Sequence, residues 1–247
     1  MADAQPLKGK VAVITGAGRG IGRAIAIGYA SAGASICCTA RTESQLEDTV
    51  RQIEAAGGRA LAVACDVTDV ESVKRVFARA EQAFGGIDIV VASAGSANEN
   101  KPVEESTPAI WRETIETNLL GSFHTVHAAV PYLKRRGGGH VITLGSGMGH
   151  RSAATRSAYA ASKAGLWMLT RVLAQELAPA NICVNELVPG PVLTDFIRGR
   201  EDQLRAIAAG GESMKEPQEV VPLALFIATQ PLKGPTGQTF SLARREL

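Results

Sequence analysis

Short, nearly continuous apolar runs punctuate the chain at VAVIT (11–15), SICCT (35–39), ALAVA (60–64), DIVVA (88–92), HVITL (140–144) and ICVNELV (182–188). Each has the size of a strand buried on both faces, and TFSL near residue 240 offers a seventh. Helical patterns fill the segments between them, over 21–32, 43–56, 69–84, 106–136 and 155–178. Alternating strands and helices of this kind predict an α/β fold: a doubly wound parallel sheet with helices on both faces. No linker-like stretch, low-complexity tract or short-period repeat breaks the pattern, so residues 1–247 are expected to form a single domain.

Composition narrows the function classes. A chain of 247 residues with 45% hydrophobic side chains can bury a substantial core. Its 26 basic and 24 acidic side chains leave a formal charge of +2, which gives no global field for nucleic acid or an anionic membrane. The basic run Lys134, Arg135, Arg136 precedes three glycines and reads as a helix end offsetting its dipole. No segment is framed as a signal sequence or reaches the length of a membrane span, so a cytoplasmic protein is expected. Cys37, Cys38, Cys65 and Cys183 lack Cys-x-x-Cys spacing and read as buried thiols. His124 and His127 share a helix face without an acidic or cysteine partner, so no metal site is expected.

In a doubly wound sheet, ligands bind beyond the carboxyl ends of the strands, so the residues that follow each strand carry the chemistry. After the first comes TGAGRGIG, with Gly16, Gly18, Gly20 and Gly22 around Arg19 and Ile21. Glycines there permit a tight turn and close backbone approach to a pyrophosphate at a helix N-terminus. The second strand ends in Ala40 and Arg41, where many NAD-binding sheets carry an acid for the ribose hydroxyls. The third leads into Asp66 and Val67, and Asp66 either accepts from an adenine amino group or caps the next helix. The fourth runs into Ala92, Ser93, Ala94, Gly95, small enough to pass close to a bound ring. After the fifth, Ser146 sits among glycines, and Tyr159 and Lys163 stand one helical turn apart on a shared face. An ammonium beside a phenol favours the phenolate, which makes such a tyrosine able to exchange protons.

The ordered set TGAGRGIG, TNLLG, TLGSGMG, YAASK and VPGPVLT, spread over nearly the whole chain, resembles the short-chain dehydrogenase/reductase family, and most nearly its 3-oxoacyl-acyl-carrier-protein reductase-like members. The resemblance implies a Rossmann-type sheet of about seven strands and an NAD(P)-dependent oxidoreductase acting on CH–OH and C=O groups. It implies a catalytic set of Asn118, Ser146, Tyr159 and Lys163. Tyr159 would be the general acid/base, Lys163 would lower its pKa and hold the nicotinamide ribose, and Ser146 would polarise the substrate oxygen. Asn118 would shape a helix and hold a relay water. Cofactor contacts are carried to Gly16, Gly18, Arg19, Gly20, Ile21, Gly22, Ala40, Arg41, Asp66, Val67, Ala92, Ala94, Gly95, Tyr159, Lys163, Pro189, Gly190, Val192 and Thr194. Hydride would pass between nicotinamide C4 and a carbonyl carbon while Tyr159 protonates the developing alkoxide.

Ala40 without an acid, with Arg41 and Arg19 nearby, leads us to expect NADP(H) in preference to NAD(H). The alternatives are an NAD-dependent dehydrogenase oxidising a sugar, steroid or other secondary alcohol, and a non-catalytic dinucleotide-binding sensor. The resemblance also implies a homotetramer through helices 106–136 and 155–178, the second of which carries Ala161, Ala164, Leu166, Trp167, Met168, Leu169, Val172 and Leu173. Two departures from the family pattern matter. Ala92–Gly95 replaces Asn-Asn-Ala-Gly, which shifts the work there onto backbone, and the C-terminal TGQTFSLARREL lacks the usual acid and paired glycines. Glu99, Asn100 and a segment at about 193–215 are expected to line the substrate entrance.

Overall fold

The computed structural model describes residues 5–194, 211 and 213–244. Seven strands form one parallel sheet in the order β3-β2-β1-β4-β5-β6-β7: β1 Val11–Thr15, β2 Ser35–Ala40, β3 Arg59–Ala64, β4 Ile89–Ala92, β5 Gly139–Leu144, β6 Ile182–Val188 and β7 Thr239–Ser241. Each strand falls within one residue of the run that predicted it. β1 pairs with β2 on one side (Val13 opposite Cys37) and β4 on the other (Val13 opposite Val90). The order therefore reverses between β1 and β4, which opens a crevice beyond their carboxyl ends.

The sheet is buried because helices cover both faces. Along β1 the side chains alternate: Ala12 and Ile14 pack under α1 (Gly20–Ser31) and α2 (Glu43–Ala55), with Ile25, Tyr29, Leu46 and Ile53. Val11 and Val13 pack on the opposite face against Val76 and Phe77 of α3 (Val70–Phe84) and Leu133 of the following long helix. β3 departs from the expected two-sided burial: as an edge strand it runs half-buried to exposed. All four cysteines are buried free thiols.

The pattern over 106–136 forms as three joined pieces, α4 (Pro108–Ile115), a π-helical turn (Glu116–Leu120) and α5 (Gly121–Arg135). The turn closes where the Gly121 N–H donates to Glu116 O, and Gly121 lies so close to Val67 that a Cβ would stand 2.5 Å from Cγ2. Such single π turns inside α-helices gather at functional sites. After α6 (Ser157–Leu177) comes a helix that periodicity did not reveal, α7 (Val221–Ala228). Its sequence, VPLALFIA, is apolar all round and carries a proline at its second position, so it has no stripe to read. It docks where Gly28 of α1 leaves room for Val221, and the Tyr29 hydroxyl donates to Ala224 O at 2.7 Å. Among the described residues no helix is long and apolar enough to cross a membrane.

Candidate active site

A cleft of about 530 Å³ opens at the carboxyl ends of the strands, and the glycine-rich turn forms its floor. Gly16 has φ of +69°, and a Cβ there would sit 3.1 Å from Ala94 Cα, so the turn lies directly on the segment after β4. Arg23 braces it from behind, donating to Gly18 O and, at 3.3 Å, to Gln45 O, with Asp48 at 3.1 Å. α1 begins at Gly20 with no side-chain cap and no acidic residue in its first turn. Its leading N–H groups and positive dipole end therefore bound the cleft, a donor set that fits the pyrophosphate of a dinucleotide.

Beyond β2 and β3 the wall is made by Ala40, Arg41, Asp66 and Val67, with Arg19 from the glycine turn. Asp66 does not cap α3; Asp69 does, accepting from Glu71 N at 3.0 Å. Asp66 Oδ1 instead accepts from Thr68 N (2.9 Å) and Thr68 Oγ1 (2.8 Å) in a local turn. Partial burial disfavours its charge, but those two bonds and the Arg41 charge outweigh it and hold the carboxyl below its usual range.

In the Ala92–Gly95 segment a serine stands where an amide was expected, and it is tied to β1. Ser93 Oγ donates to Thr15 O, while Ser93 N and Ala94 N both donate to Thr15 Oγ1 at 3.1 Å. A hydroxyl thus ties β4 to β1. Ala92, assigned to the cofactor by resemblance, is buried as the last residue of β4, opposite Thr15 and Thr143, and does not line the cleft. Asn118, at the middle of the π turn, stands fully buried behind the segment. Its Oδ1 accepts from Ser96 N (2.7 Å), and its Nδ2 donates to Ser96 O (2.9 Å) and Ser162 Oγ (3.0 Å). Both amide hydrogens are thus engaged by protein acceptors.

Ser146, Tyr159 and Lys163 meet on the wall contributed by β5 and α6. Ser146 starts a short 3₁₀ turn, its Oγ accepting from Met148 N at 3.2 Å, and it hydrogen-bonds the Tyr159 phenol. Burial pushes that phenol above its ordinary range; the Ser146 bond and the Arg156 charge pull it back in part. Lys163 reaches past the phenol to the end of β5. Its Nζ donates to Leu144 O at 2.7 Å and lies 5.7 Å from the Tyr159 ring centroid. Burial pushes the ammonium down to about 8, against the opposing pull of Glu186.

Four other residues, Glu186, Ser162, Arg151 and Arg156, escaped sequence reasoning. Glu186, fully buried in β6, accepts from Thr239 Oγ1 (2.7 Å) and meets His150 Nε2 at 2.9 Å. Its position, the one acidic residue in the apolar run ICVNELV, was the available signal. Ser162 joins Asn118 to the Tyr159 backbone by donating to Tyr159 O at 2.7 Å. Arg151 and Arg156 line the cleft beside Ser146 and Tyr159. Pro189, Gly190, Val192 and Thr194 form the far rim, with Thr194 Cγ2 3.2 Å from where a Gly20 Cβ would be. Glu99 and Asn100 stand apart from the cleft wall: Glu99 accepts from Thr107 N, and Asn100 Oδ1 accepts from Thr155 Oγ1 at 2.7 Å. Of the 193–215 segment, the ends are joined where Leu193 N donates to Lys215 O at 2.7 Å; residues 195–210 and 212 lie outside the described residues.

A reversing parallel sheet, a phosphate-accepting glycine turn and a serine–tyrosine–lysine wall define a dinucleotide-dependent oxidoreductase of CH–OH and C=O groups. The short chain dehydrogenase profile matches residues 10–205, and the chain belongs to that family. It is 36% identical over 223 residues to cis-4-hydroxycyclohexanecarboxylate dehydrogenase of Sinomonas cyclohexanicum, covering 89% of each chain. To 3-oxoacyl-[acyl-carrier-protein] reductase of Vibrio cholerae it is 33% identical, over 94% of this chain and 95% of that one. A short-chain type dehydrogenase/reductase structure from Mycobacterium marinum superposes with a TM-score of 0.90 at 33% identity, covering 97% and 96% of the two chains.

Proposed function

We propose that this protein is an NADP(H)-dependent carbonyl reductase that interconverts a ketone, in the first instance a 3-oxoacyl thioester or a compact oxo acid, and its secondary alcohol. The observation that carries the cofactor preference is the wall beyond β2. Ala40 occupies the acid position, and Arg41 and Arg19 line the same end of the cleft, where two guanidiniums would hold a ribose phosphate. The nicotinamide, when bound, supplies the two-electron chemistry. Gly16 to Gly22 and the start of α1 would hold the pyrophosphate, and Tyr159 and Lys163 the nicotinamide ribose.

The chain's own groups divide the remaining work. Ser146 donates towards the substrate oxygen as negative charge gathers there. Tyr159 gives its phenolic proton to that oxygen in reduction and takes it back in oxidation. Asn118 holds Ser96 and, through Ser162, the first turn of α6, which fixes the wall that presents Tyr159. Two relatives' names, one a hydroxy-acid dehydrogenase and the other an oxoacyl reductase, are compatible with either direction, so the second reading is NAD-linked oxidation of a secondary alcohol. Steady-state rates with NADPH and NADH on one ketone decide between them. A higher kcat/KM for NADH would remove the NADP assignment and put the oxidative reading first. The same proposal extends to assembly as a homotetramer through α5 and α6.

A further inference from the structure

Glu186 is a buried acid to which neither the proton transfer nor the dinucleotide gives a task. It is fully enclosed in β6 and stands opposite Thr143 in register, so its side chain lies on the face of the sheet that α6 covers. Thr143 meets Thr170 of α6 on that face, Oγ1 to Oγ1, at 2.8 Å. One carboxylate oxygen, Oε2, is engaged twice, by Thr239 Oγ1 at 2.7 Å and by His150 Nε2 at 2.9 Å. The other, Oε1, is buried without a hydrogen-bond partner among the described residues and fills the space that a Gly145 Cβ would need. A carboxylate taken wholly out of water persists as an anion only with positive charge close by.

Lys163 of α6 is a buried cation at the same place. It is 5% exposed, and its Nζ donates at 2.7 Å to Leu144 O, the carbonyl of the peptide that joins Leu144 to Gly145. Ammonium and carboxylate thus meet one peptide at the end of β5. Glu186 favours the charged form of Lys163, against the burial that lowers its pKa to about 8. The turn that carries Ser146 closes over the pair. Gly149 lies so tightly on the Lys163 backbone that a Cβ would stand 2.8 Å from Lys163 O. His150, next in the chain, reaches Glu186 and packs on Trp167, one helical turn beyond Lys163. Of the other ionisable groups around this part of α6, the Tyr159 ring centroid is 5.7 Å from Lys163 Nζ, and Arg171 lies over Trp167. Arg151 and Arg156 line the cleft beside Tyr159, and the Arg156 charge acts on the phenol. α4 and the π turn touch α6 with uncharged groups: Trp111 on Ser157, Asn118 on Ser162 and Leu119 against Gly165.

We propose that Glu186 is a positioning residue for Lys163: its carboxylate, fixed by His150 and Thr239, keeps the Lys163 amine an ammonium at the end of β5, where it holds the nicotinamide ribose. This inference rests on the reading above that Lys163 meets that ribose. An ammonium offers three charged donors to the ribose hydroxyls, whereas a neutral amine loses the charge and one donor and binds them less well.

The test follows two quantities between pH 6 and 10 in the full-length wild type, Glu186→Gln and Glu186→Asp: NADPH affinity, by fluorescence titration, and the ionisation of Lys163, by NMR of isotope-labelled lysine with Lys163→Met assigning the signal. The wild type should lose NADPH affinity as pH rises through about 8, where the ammonium gives up its proton. Glu186→Gln keeps the shape and loses the charge, so the midpoint of both titrations should fall by about one unit or more, the scale of a neighbouring opposite charge. Glu186→Asp keeps the charge and should restore most of that shift. A purely structural role would weaken binding at every pH and leave the midpoint in place, so equal Lys163 midpoints in the wild type and Glu186→Gln overturn the proposal. The NMR signal needs no cofactor, which separates the two readings. A Lys163 midpoint that falls in Glu186→Gln, beside NADPH binding that does not follow it, upholds the Glu186 contact and removes Lys163 from the ribose. Should Glu186→Gln not fold, the double variant Lys163→Met/Glu186→Gln decides. It removes the carboxylate that Lys163→Met strands, so it should unfold at a higher urea concentration than Lys163→Met alone. A double variant no more stable than Lys163→Met overturns the proposal.

Discussion

The Asn118 side chain holds both backbone polar groups of Ser96, accepting from its N–H at 2.7 Å and donating to its C=O at 2.9 Å. Its third bond, to Ser162 Oγ, extends the clamp to the Tyr159 carbonyl. One amide thus sets the spacing between the loop after β4 and the first turn of α6. Asn118→Ala strands buried polar groups on both sides and is expected to cost about 3 kcal/mol. For a chain of this size that lowers the melting temperature by roughly 10 °C. An unchanged melting curve would show that the clamp does not hold the site.

Tyr159→Phe should keep cofactor affinity and lose turnover by orders of magnitude, because only proton exchange is removed. Retention of more than about a tenth of wild-type kcat, at the order of magnitude general acid catalysis contributes, would displace Tyr159 from its role. The pH profile carries the sign. Reduction needs the protonated phenol, and burial raises its pKa, so the reductive rate persists above neutral pH and falls only as pH rises through that raised value. Removing the Arg156 charge destabilises the phenolate, so Arg156→Gln should move the alkaline limb upward; a downward move contradicts the electrostatic contact.

Lys163 gives a stability signature. Burial lowers its folded pKa to about 8, below the unfolded value of 10.5. Between those values the unfolded chain binds more protons, so this group's contribution makes the fold more stable as pH rises through the window, by up to about 3 kcal/mol. The buried thiols and Tyr159, whose pKa values are raised, act in the opposite sense at high pH. The comparison is therefore wild type against Lys163→Met, by urea unfolding at several pH values from 7 to 10. The gap between the two should change in favour of the wild type as pH rises, and a pH-independent gap would show that Lys163 titrates normally.

Arg41→Ala should weaken NADPH about ten- to a hundredfold, the loss of a hydrogen bond to a charged group, and leave NADH nearly unchanged. Equal losses for both cofactors, measured by fluorescence titration, would mean that Arg41 does not read the ribose phosphate.

The helical face expected to bury against another subunit is only partly free. Leu166 and Leu173 belong inside the chain, and Trp167 packs on His150 with ring centroids 5.1 Å apart. Met168 and Val172 remain exposed on α6, as do Leu120 and Phe123 at the π turn and α5. The double variant Met168→Glu/Val172→Glu should therefore fall from four chain masses to a smaller species in sedimentation. A wild type that sediments as a monomer removes the tetramer.

The strands were legible in the sequence as short apolar runs, because a strand covered on both faces is mostly apolar, and their alternation with helices marked the sheet as parallel; the order of the strands in it was not legible. The glycine turn was legible for a related reason: Gly16 needs positive φ and Gly22 has no room for a Cβ, since one would stand 2.4 Å from Gly16 O. Ser146, Tyr159 and Lys163 could be singled out as one site by their motif, and the fold brings them to one wall. What periodicity could not supply is anything fixed by contacts between distant segments. α7 has no polar face, so only its docking on Gly28 and Tyr29 marks it as a helix. Asn118 looks like an ordinary helix-interior amide until Ser96 and Ser162 arrive against it from other elements. The direction of Lys163, towards Leu144 O instead of the phenol, and the gathering of Arg151 and Arg156 at the reacting end are likewise decisions of packing. A side chain's pKa and partners depend on which buried neighbours three-dimensional closure assembles around it, and spacing along the chain does not encode them.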